Sequence, residues 1–366
     1  MAGNDDNDTF PEVGGGGWPM HIVCTDLGYA GYQPILYMVR LAAELFGAEL
    51  TVVPPGVSPN RLQQMAGLLT PRTHGGRDTL LLVCPSPACL QSVFLLEKRH
   101  RFGRTVAWVF DSFWTNFIPR VQYLAHPFDH VFVTELEDLQ TWRRALRVPV
   151  SWLPWGTDAL RLGSDAAHRP VDLLRVGRQP PGWEEDVATA EACHQRGLCF
   201  AGRPPIELDA TRNQNLLMEA FSRAKISLSF SNRVNPGRQT HPTREYITAR
   251  WVDALAAGTL VAGVPPRSAS AQALVWADGL LDLGTVDRDV GLDAVADAVD
   301  TWTPARAAMN RKRALERLDW RWRFDTVATQ LGISPPKLKD ELMQLQRRIE
   351  ETRSPPYTPN EAAASV

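Results

Sequence analysis

Lysine is scarce in this chain: only five of its 39 basic residues are lysine, and the rest are arginine. The bias follows in part from GC-rich coding, so arginine frequency says little and arginine position carries the weight. Cysteine is scarce too. Cys24, Cys84, Cys89, Cys193 and Cys199 are odd in number, lie mostly in apolar runs and lack zinc-ligand spacing, which argues against a disulfide framework or zinc site and for a reduced, cytosolic setting. Long apolar runs are missing. The longest, Leu80 to Cys84 and Thr259 to Val264, fall far short of the roughly 18 residues a membrane helix needs, so no bilayer span is expected. Neither charge sign dominates: 39 basic residues stand against 41 acidic ones, which removes the electrostatic footprint of a protein that grips nucleic acid or an anionic membrane. Met1 to Gly17 has neither a basic n-region nor an apolar h-region, so it is no secretory signal, and its acids and glycines read as a disordered lead-in over 1–17.

What the chain does have is length and alternation. Its 366 residues suffice for two domains with full cores. From residue 18 onward, short β-branched runs alternate with amphipathic stretches, the pattern of parallel sheets covered by helices. Strands are predicted at 21–25, from 50, and at 80–84, 105–110, 131–134 and 150–153. Helices are predicted at 32–46, 88–99 and 135–146. These make a first α/β domain over 18–156. A polar lapse marks a linker at 157–170. A second α/β series over 171–318 follows, with strands at 171–176, 198–201, 226–231 and 260–263 and helices at 184–195, 213–224 and 247–257. An Arg-rich helical segment at 319–354 is expected to pack back on the first domain, and 355–366 reads as a disordered tail. The fold class is therefore α/β, as two tandem Rossmann-like, doubly wound domains facing across a cleft, where ligands of such folds bind.

The most informative stretch runs from Thr243 to Thr259. Glu245 and Asp253 are eight residues apart, and Arg250 precedes Asp253 by three, on nearly the same helix face. A helix N-terminus offers free N–H groups to a diphosphate, and a carboxylate further along can accept from a ribose diol. The run Arg250-Trp251-Val252-Asp253-Ala254-Leu255-Ala256-Ala257-Gly258 resembles the donor helix of GT-B glycosyltransferases of the family-1/family-4 type, with its acid-x7-acid pattern. Two further segments match in order. Pro154-Trp155-Gly156-Thr157-Asp158 is similar to the family's domain-junction segment, and Val176-Gly177-Arg178 to its V-G-R strand end.

The resemblance implies donor-binding roles for Gly177, Arg178, Asn232, Glu245, Tyr246, Thr248, Arg250 and Asp253. The chain departs from the pattern twice: aspartate stands at 253 for the usual glutamate, and the lysine that follows the V-G-R arginine is absent. Diphosphate charge then falls on Arg178, on helix N–H groups, and on Arg238 or Arg250. On the acceptor side, Asp26 and Asp111 follow predicted strands at the carboxyl edge and are the candidate catalytic bases, each with a turn role as the alternative. Gly28, Tyr29 and Trp114 are candidate acceptor contacts. Trp155 and Trp183 fall near cleft loops, where a ring can stack on a sugar. His126 and His130 precede a strand and read as structural. Asp287-Arg288-Asp289 mimics a metal-binding D-x-D, but its position before a polar helix argues against that role, so no metal is expected.

The function implied is metal-independent transfer of a sugar from a nucleoside diphosphate sugar, used as co-substrate with no other cofactor, to a small-molecule acceptor. Two alternatives stay open. One is a nucleotide-sugar epimerase or hydrolase on the same fold, which would need a cluster of acids and histidines. The other is a catalytically impaired nucleotide-binding partner protein, favoured by Asp253 and the missing lysine.

Overall fold

The computed structural model describes residues 19–69, 76–96, 99–237 and 240–352. The lead-in read at 1–17, the tail read at 355–366 and Arg238 lie outside the described residues. The first sheet has six parallel strands: β1 (Met20–Thr25), β2 (Glu49–Val53), β3 (Asp78–Cys84), β4 (Phe102–Val109), β5 (His130–Val133) and β6 (Val150–Trp152), in the order β2-β1-β3-β4-β5-β6. The second has five: β7 (Val171–Arg175), β8 (Phe200–Ala201), β9 (Ala224–Leu228), β10 (Leu260–Gly263) and β11 (Leu280–Asp282), in the order β11-β10-β9-β7-β8. The runs Leu80 to Cys84 and Val106 to Val109 are apolar at every position because both sheet faces are covered. Each sheet reverses its strand order once, between β1 and β3 and between β7 and β9. A crevice opens at the carboxyl ends on either side of such a reversal.

The helix Gln33–Phe46 starts with Pro34 in its first turn, buries Ile35, Met38, Val39, Ala42 and Leu45 along one stripe, and ends at Gly47. Where helix was predicted at 88–99, the chain winds more tightly as the 3-10 segment Pro87–Leu95, with six of its nine side chains buried. The predicted 135–146 helix is shorter, Leu139–Ala145 behind a 3-10 turn, because Glu135 to Asp138 dock against the second domain. No helix among the described residues is long and apolar enough to cross a membrane.

The last two helices, Trp320–Leu331 and Pro336–Glu351, return to the first domain. The Trp320 ring lies 5.8 Å from Trp108 and 6.3 Å from Phe110 and Trp155, and Phe324 meets Phe46 at 5.8 Å. The chain thus crosses between domains twice, and the two crossings pair. Thr157 N–H donates to the Leu318 carbonyl and Trp320 N–H to that of Thr157, both at 2.9 Å. Thr157 and Asp158 are buried, so the start of 157–170 is part of the interior and not the polar tether its composition suggests. Between the crossings sits Arg321, wholly buried. It donates to Asp158 at 2.8 Å, to Asp319 at 2.9 Å and to Glu341 at 2.5 Å, while Tyr37 donates to Asp158 at 2.5 Å. Burial pushes the Asp319 carboxyl up, and the Arg321 charge opposes that shift. Removing the cation from such a set leaves two interior carboxylates facing each other. Arg321→Met is expected to cost about 3–5 kcal/mol in urea unfolding. A loss below about 1 kcal/mol would show that the junction does not depend on it.

Candidate functional site

The second domain contributes a pair of arginines. Arg178 leaves β7 through Gly177, whose φ of 71° favours glycine and where a Cβ would stand 3.0 Å from Arg250 Nη1. Arg250 donates to the Arg178 carbonyl at 3.1 Å, and Arg178 to the Asn235 carbonyl at 2.7 Å. Gly237 lies so close to the Arg178 guanidinium that any Cβ would collide with it. The nearby arginines of this domain are neutralised: Arg175 pairs with Glu184 and Asp186, Arg203 with Glu184. No carboxylate pairs with Arg178 or Arg250 among the described residues. Burial first, and the Arg178 charge second, bring the Arg250 guanidinium down to about 10.

Around this pair lie polar atoms that are buried and have no hydrogen-bond partner: Arg178 Nε, Ser229 Oγ, Asn232 Oδ1, Asn235 Nδ2 and Thr248 Oγ1. Thr248 occupies the N-cap of the helix Ala249–Ala256 without capping it. Orphaned buried polar groups cost about 1–3 kcal/mol each unless a polar partner meets them, and these belong to the loops that follow β7 and β9 and lead into the helix Ala249–Ala256. Glu245 closes the cluster, accepting from Ser231 Oγ at 2.6 Å and from the Arg267 backbone at 3.2 Å. Asn232 Nδ2 holds the loop by donating to the carbonyls of Arg244 and His241.

The first domain contributes carboxyls. Asp111 follows β4 and accepts from the Tyr32 hydroxyl at 2.7 Å. Burial pushes its carboxyl up to about 7, against the Tyr32 hydrogen bond. Burial, and then the Asp111 charge, raises the Tyr32 phenol in turn. Two residues beyond β5 stands Glu135, 1% exposed, with neither carboxylate oxygen hydrogen-bonded among the described residues. Its backbone N–H donates to Ser112 Oγ, next in sequence to Asp111. Burial holds its carboxyl well above the ordinary range; the nearby Ser270 hydroxyl opposes that rise, and the charges of Glu137, Asp138 and Asp111 add to it. Asp26 accepts from the Gly28 N–H at 2.7 Å, the turn role weighed for it. Tyr29 stays exposed, its ring 6.4 Å from Tyr32.

The two edges touch. Phe113 stacks on Tyr246 at 3.9 Å with the rings 8° apart, and Trp114 meets His241 at 4.9 Å. Behind the stack, Glu137 accepts from Ala269 N–H and Ser270 Oγ, and Asp138 pairs with Arg244 at 2.7 Å.

The structure therefore gathers Gly177, Arg178, Asn232, Glu245, Tyr246, Thr248 and Arg250 on one side and Asp111 and Trp114 on the other. It separates Asp253 from them. Asp253 is 2% exposed and accepts from Thr157 Oγ1 at 2.6 Å and Gln214 Nε2 at 3.1 Å, which ties it to the domain junction. Trp155 and Trp183 are core residues, Trp155 packed on Phe110 at 4.8 Å and Trp183 donating to the Val286 carbonyl. His130 is buried at the amino end of β5. Asp287 caps the helix Arg288–Asp300, and Asp289 faces Arg196. Among the described residues no group of three or more His, Cys, Asp or Glu could hold a metal ion. Glu135 was missed because Thr134-Glu135-Leu136-Glu137-Asp138 reads as a solvated acidic run. Its place just after a strand, as for Asp111, was the available signal.

No protein-family model matches the chain, and no curated protein matches it. Solved structures do. A mutant of T4 phage BGT in complex with UDP-glucose is 10% identical over 86% of this chain and all of its own, with a TM-score of 0.43. The glycotransferase of kitacinnamycin is 12% identical over 86% of this chain and 99% of its own, at 0.40. In the glycosylation-associated Gap123 complex of Streptococcus agalactiae the identity is 10% over 79% of this chain, at 0.41, and the match spans only 56% of that chain. The likeness is confined to the fold.

A carboxyl whose proton affinity rises on folding costs nothing below its unfolded pKa near 4 and progressively more as pH climbs towards its folded value. Asp111→Asn and Glu135→Gln are thus expected to raise the melting temperature at pH 8 and to leave it nearly unchanged at pH 4. Equal shifts at both pH values would show that neither carboxyl is held protonated by the fold.

Proposed function

We propose that the chain transfers a sugar from a nucleoside diphosphate sugar to a small-molecule acceptor without a metal. The observation that carries this reading is the adjacent, unneutralised Arg178 and Arg250 amid orphaned polar atoms at the β7/β9 reversal. Breaking the bond from the anomeric carbon to the diphosphate oxygen leaves negative charge on the diphosphate. Two fixed guanidiniums and a helix N-terminus stabilise that charge most when it is largest, in the transition state. The acceptor hydroxyl or amine forms the new bond to the anomeric carbon and gives up its proton. Asp111 is the group we assign to receive it, since a carboxyl near pH 7 is a workable base at neutral pH, and the Tyr32 hydrogen bond fixes its orientation. Phe113 and Tyr246 wall the space between and limit water.

Calorimetric titration with a panel of nucleoside diphosphates tests the donor half. Arg178→Ala is expected to weaken binding by about 1.5–3 kcal/mol, the range for a lost charge-assisted contact, whereas Asp253→Asn leaves affinity intact. No binding by any diphosphate ends the reading. For the acceptor half, Asp111→Asn is expected to lower turnover by about two to four orders of magnitude at constant donor affinity. Binding without turnover on any acceptor would leave a nucleotide-binding module. Activity is expected to survive EDTA; loss with rescue by manganese or magnesium would bring Asp287 and Asp289 back into consideration.

A further inference from the structure

Tyr246 has two ends with different surroundings. Its ring is clamped: it lies parallel to Phe113 at 3.9 Å, and Phe113 follows Asp111 closely on the loop after β4. Its backbone is held as well, since the preceding Glu245 accepts from Ser231 and from the Arg267 backbone, and the following Ile247 is buried. The hydroxyl is free. Tyr246 is part-exposed, and its phenol has no hydrogen-bond partner among the described residues, whereas the Tyr32 hydroxyl is spent on Asp111 and the Tyr37 hydroxyl on Asp158.

Charges of both signs act on this hydroxyl. Burial raises the phenol most, the Asp111 charge adds to that, the Arg250 and Arg178 charges oppose it, and the Glu135 charge adds again. The phenol therefore stands within electrostatic reach of the carboxyls at one sheet edge and of the guanidiniums at the other, and it keeps its proton at neutral pH. A diphosphate held by Arg178 and Arg250 and an acceptor whose proton goes to Asp111 must meet at an anomeric carbon between those groups. The oxygen that joins this carbon to the diphosphate lies on its arginine side. It is the atom on which charge grows as the bond breaks.

We propose that the Tyr246 hydroxyl donates a hydrogen bond to the oxygen between sugar and diphosphate, and that the stack on Phe113 fixes it there. The inference rests on the glycosyl-transfer reading and adds a catalytic residue to it. The bond from the anomeric carbon to that oxygen breaks, the electron pair stays on the oxygen, and Tyr246 retains its proton. The hydrogen bond strengthens as the oxygen gains charge, so it favours the transition state over the bound donor. The arginines meet the charge of the diphosphate as a whole; the phenol addresses one atom of it.

After transfer that oxygen is a terminal oxygen of the diphosphate, and a nucleoside monophosphate of the same base lacks it. Calorimetry on the full chain with the nucleoside diphosphate that binds most tightly, and with its monophosphate as competitor, isolates the contact. Tyr246→Phe keeps the ring and its stack and removes only the hydroxyl. It is expected to weaken the diphosphate about tenfold, as for one lost hydrogen bond to a charged oxygen, and to leave the monophosphate within about twofold. Turnover with the nucleotide sugar is expected to fall about tenfold or more. Equal diphosphate affinity in the two proteins, or an equal loss for both ligands, would overturn the inference and leave the arginine site in place. A wild type that binds no nucleoside diphosphate would overturn the glycosyl-transfer reading and the role of Tyr246 with it.

Discussion

The architecture turns on one buried cation. Arg321 holds Asp158, from the outgoing crossing, and Asp319, from the returning one, within 3 Å in an interior with no access to water. Moving three charges out of water is expensive, and Tyr37, Glu341 and backbone N–H groups offset part of the cost while Arg321 Nη2 is left without a partner among the described residues. The arrangement is specific in a way that an apolar plug would not be. A carboxylate from each crossing must reach the same guanidinium, so the order and spacing of the two crossings are tied together. With that point fixed, Trp320 and Phe324 settle on the first sheet, and the carboxyl edges of both sheets are brought face to face.

The cleft then separates unlike chemistry. One edge carries carboxyls that the fold keeps short of solvent, Asp111 and Glu135; the other carries guanidiniums that it leaves without counterions, Arg178 and Arg250. Neither state serves stability. Natural folds accept such local costs where function needs them, and both are found here at the carboxyl ends, where an α/β sheet presents its loops.

The sheets were legible from the sequence because parallel strands buried on both faces write themselves as continuous apolar runs. Gly177 and Arg178 were legible because a glycine turn after a strand is a local signal. Asp253 was not. What removes it from the cleft is Thr157, 96 residues away, and Gln214, 39 away, and no spacing rule reports such partners. Glu135 failed for the opposite reason. Its acidic neighbours Glu137 and Asp138 are drawn into contacts with Ser270 and Arg244, and the docking of the two domains buries the Glu135 carboxyl beside them. Trp155 and Trp183 show the same limit: proximity to a cleft loop in sequence does not tell a ring that faces ligand from one that fills the core.

The stack of Phe113 on Tyr246 bridges the two domains, and the paired crossings at Thr157 and Asp319 join them a second time. Two bodies joined along one line turn most easily about that line. Any such rotation would part those two rings, and with them the Glu137–Ser270 and Asp138–Arg244 contacts, while Thr157, Leu318 and Trp320 stay paired, as a door parts from its jamb and not from its hinge. The two rings thus act as a latch, an aromatic contact without any covalent link that holds the two sheet edges together.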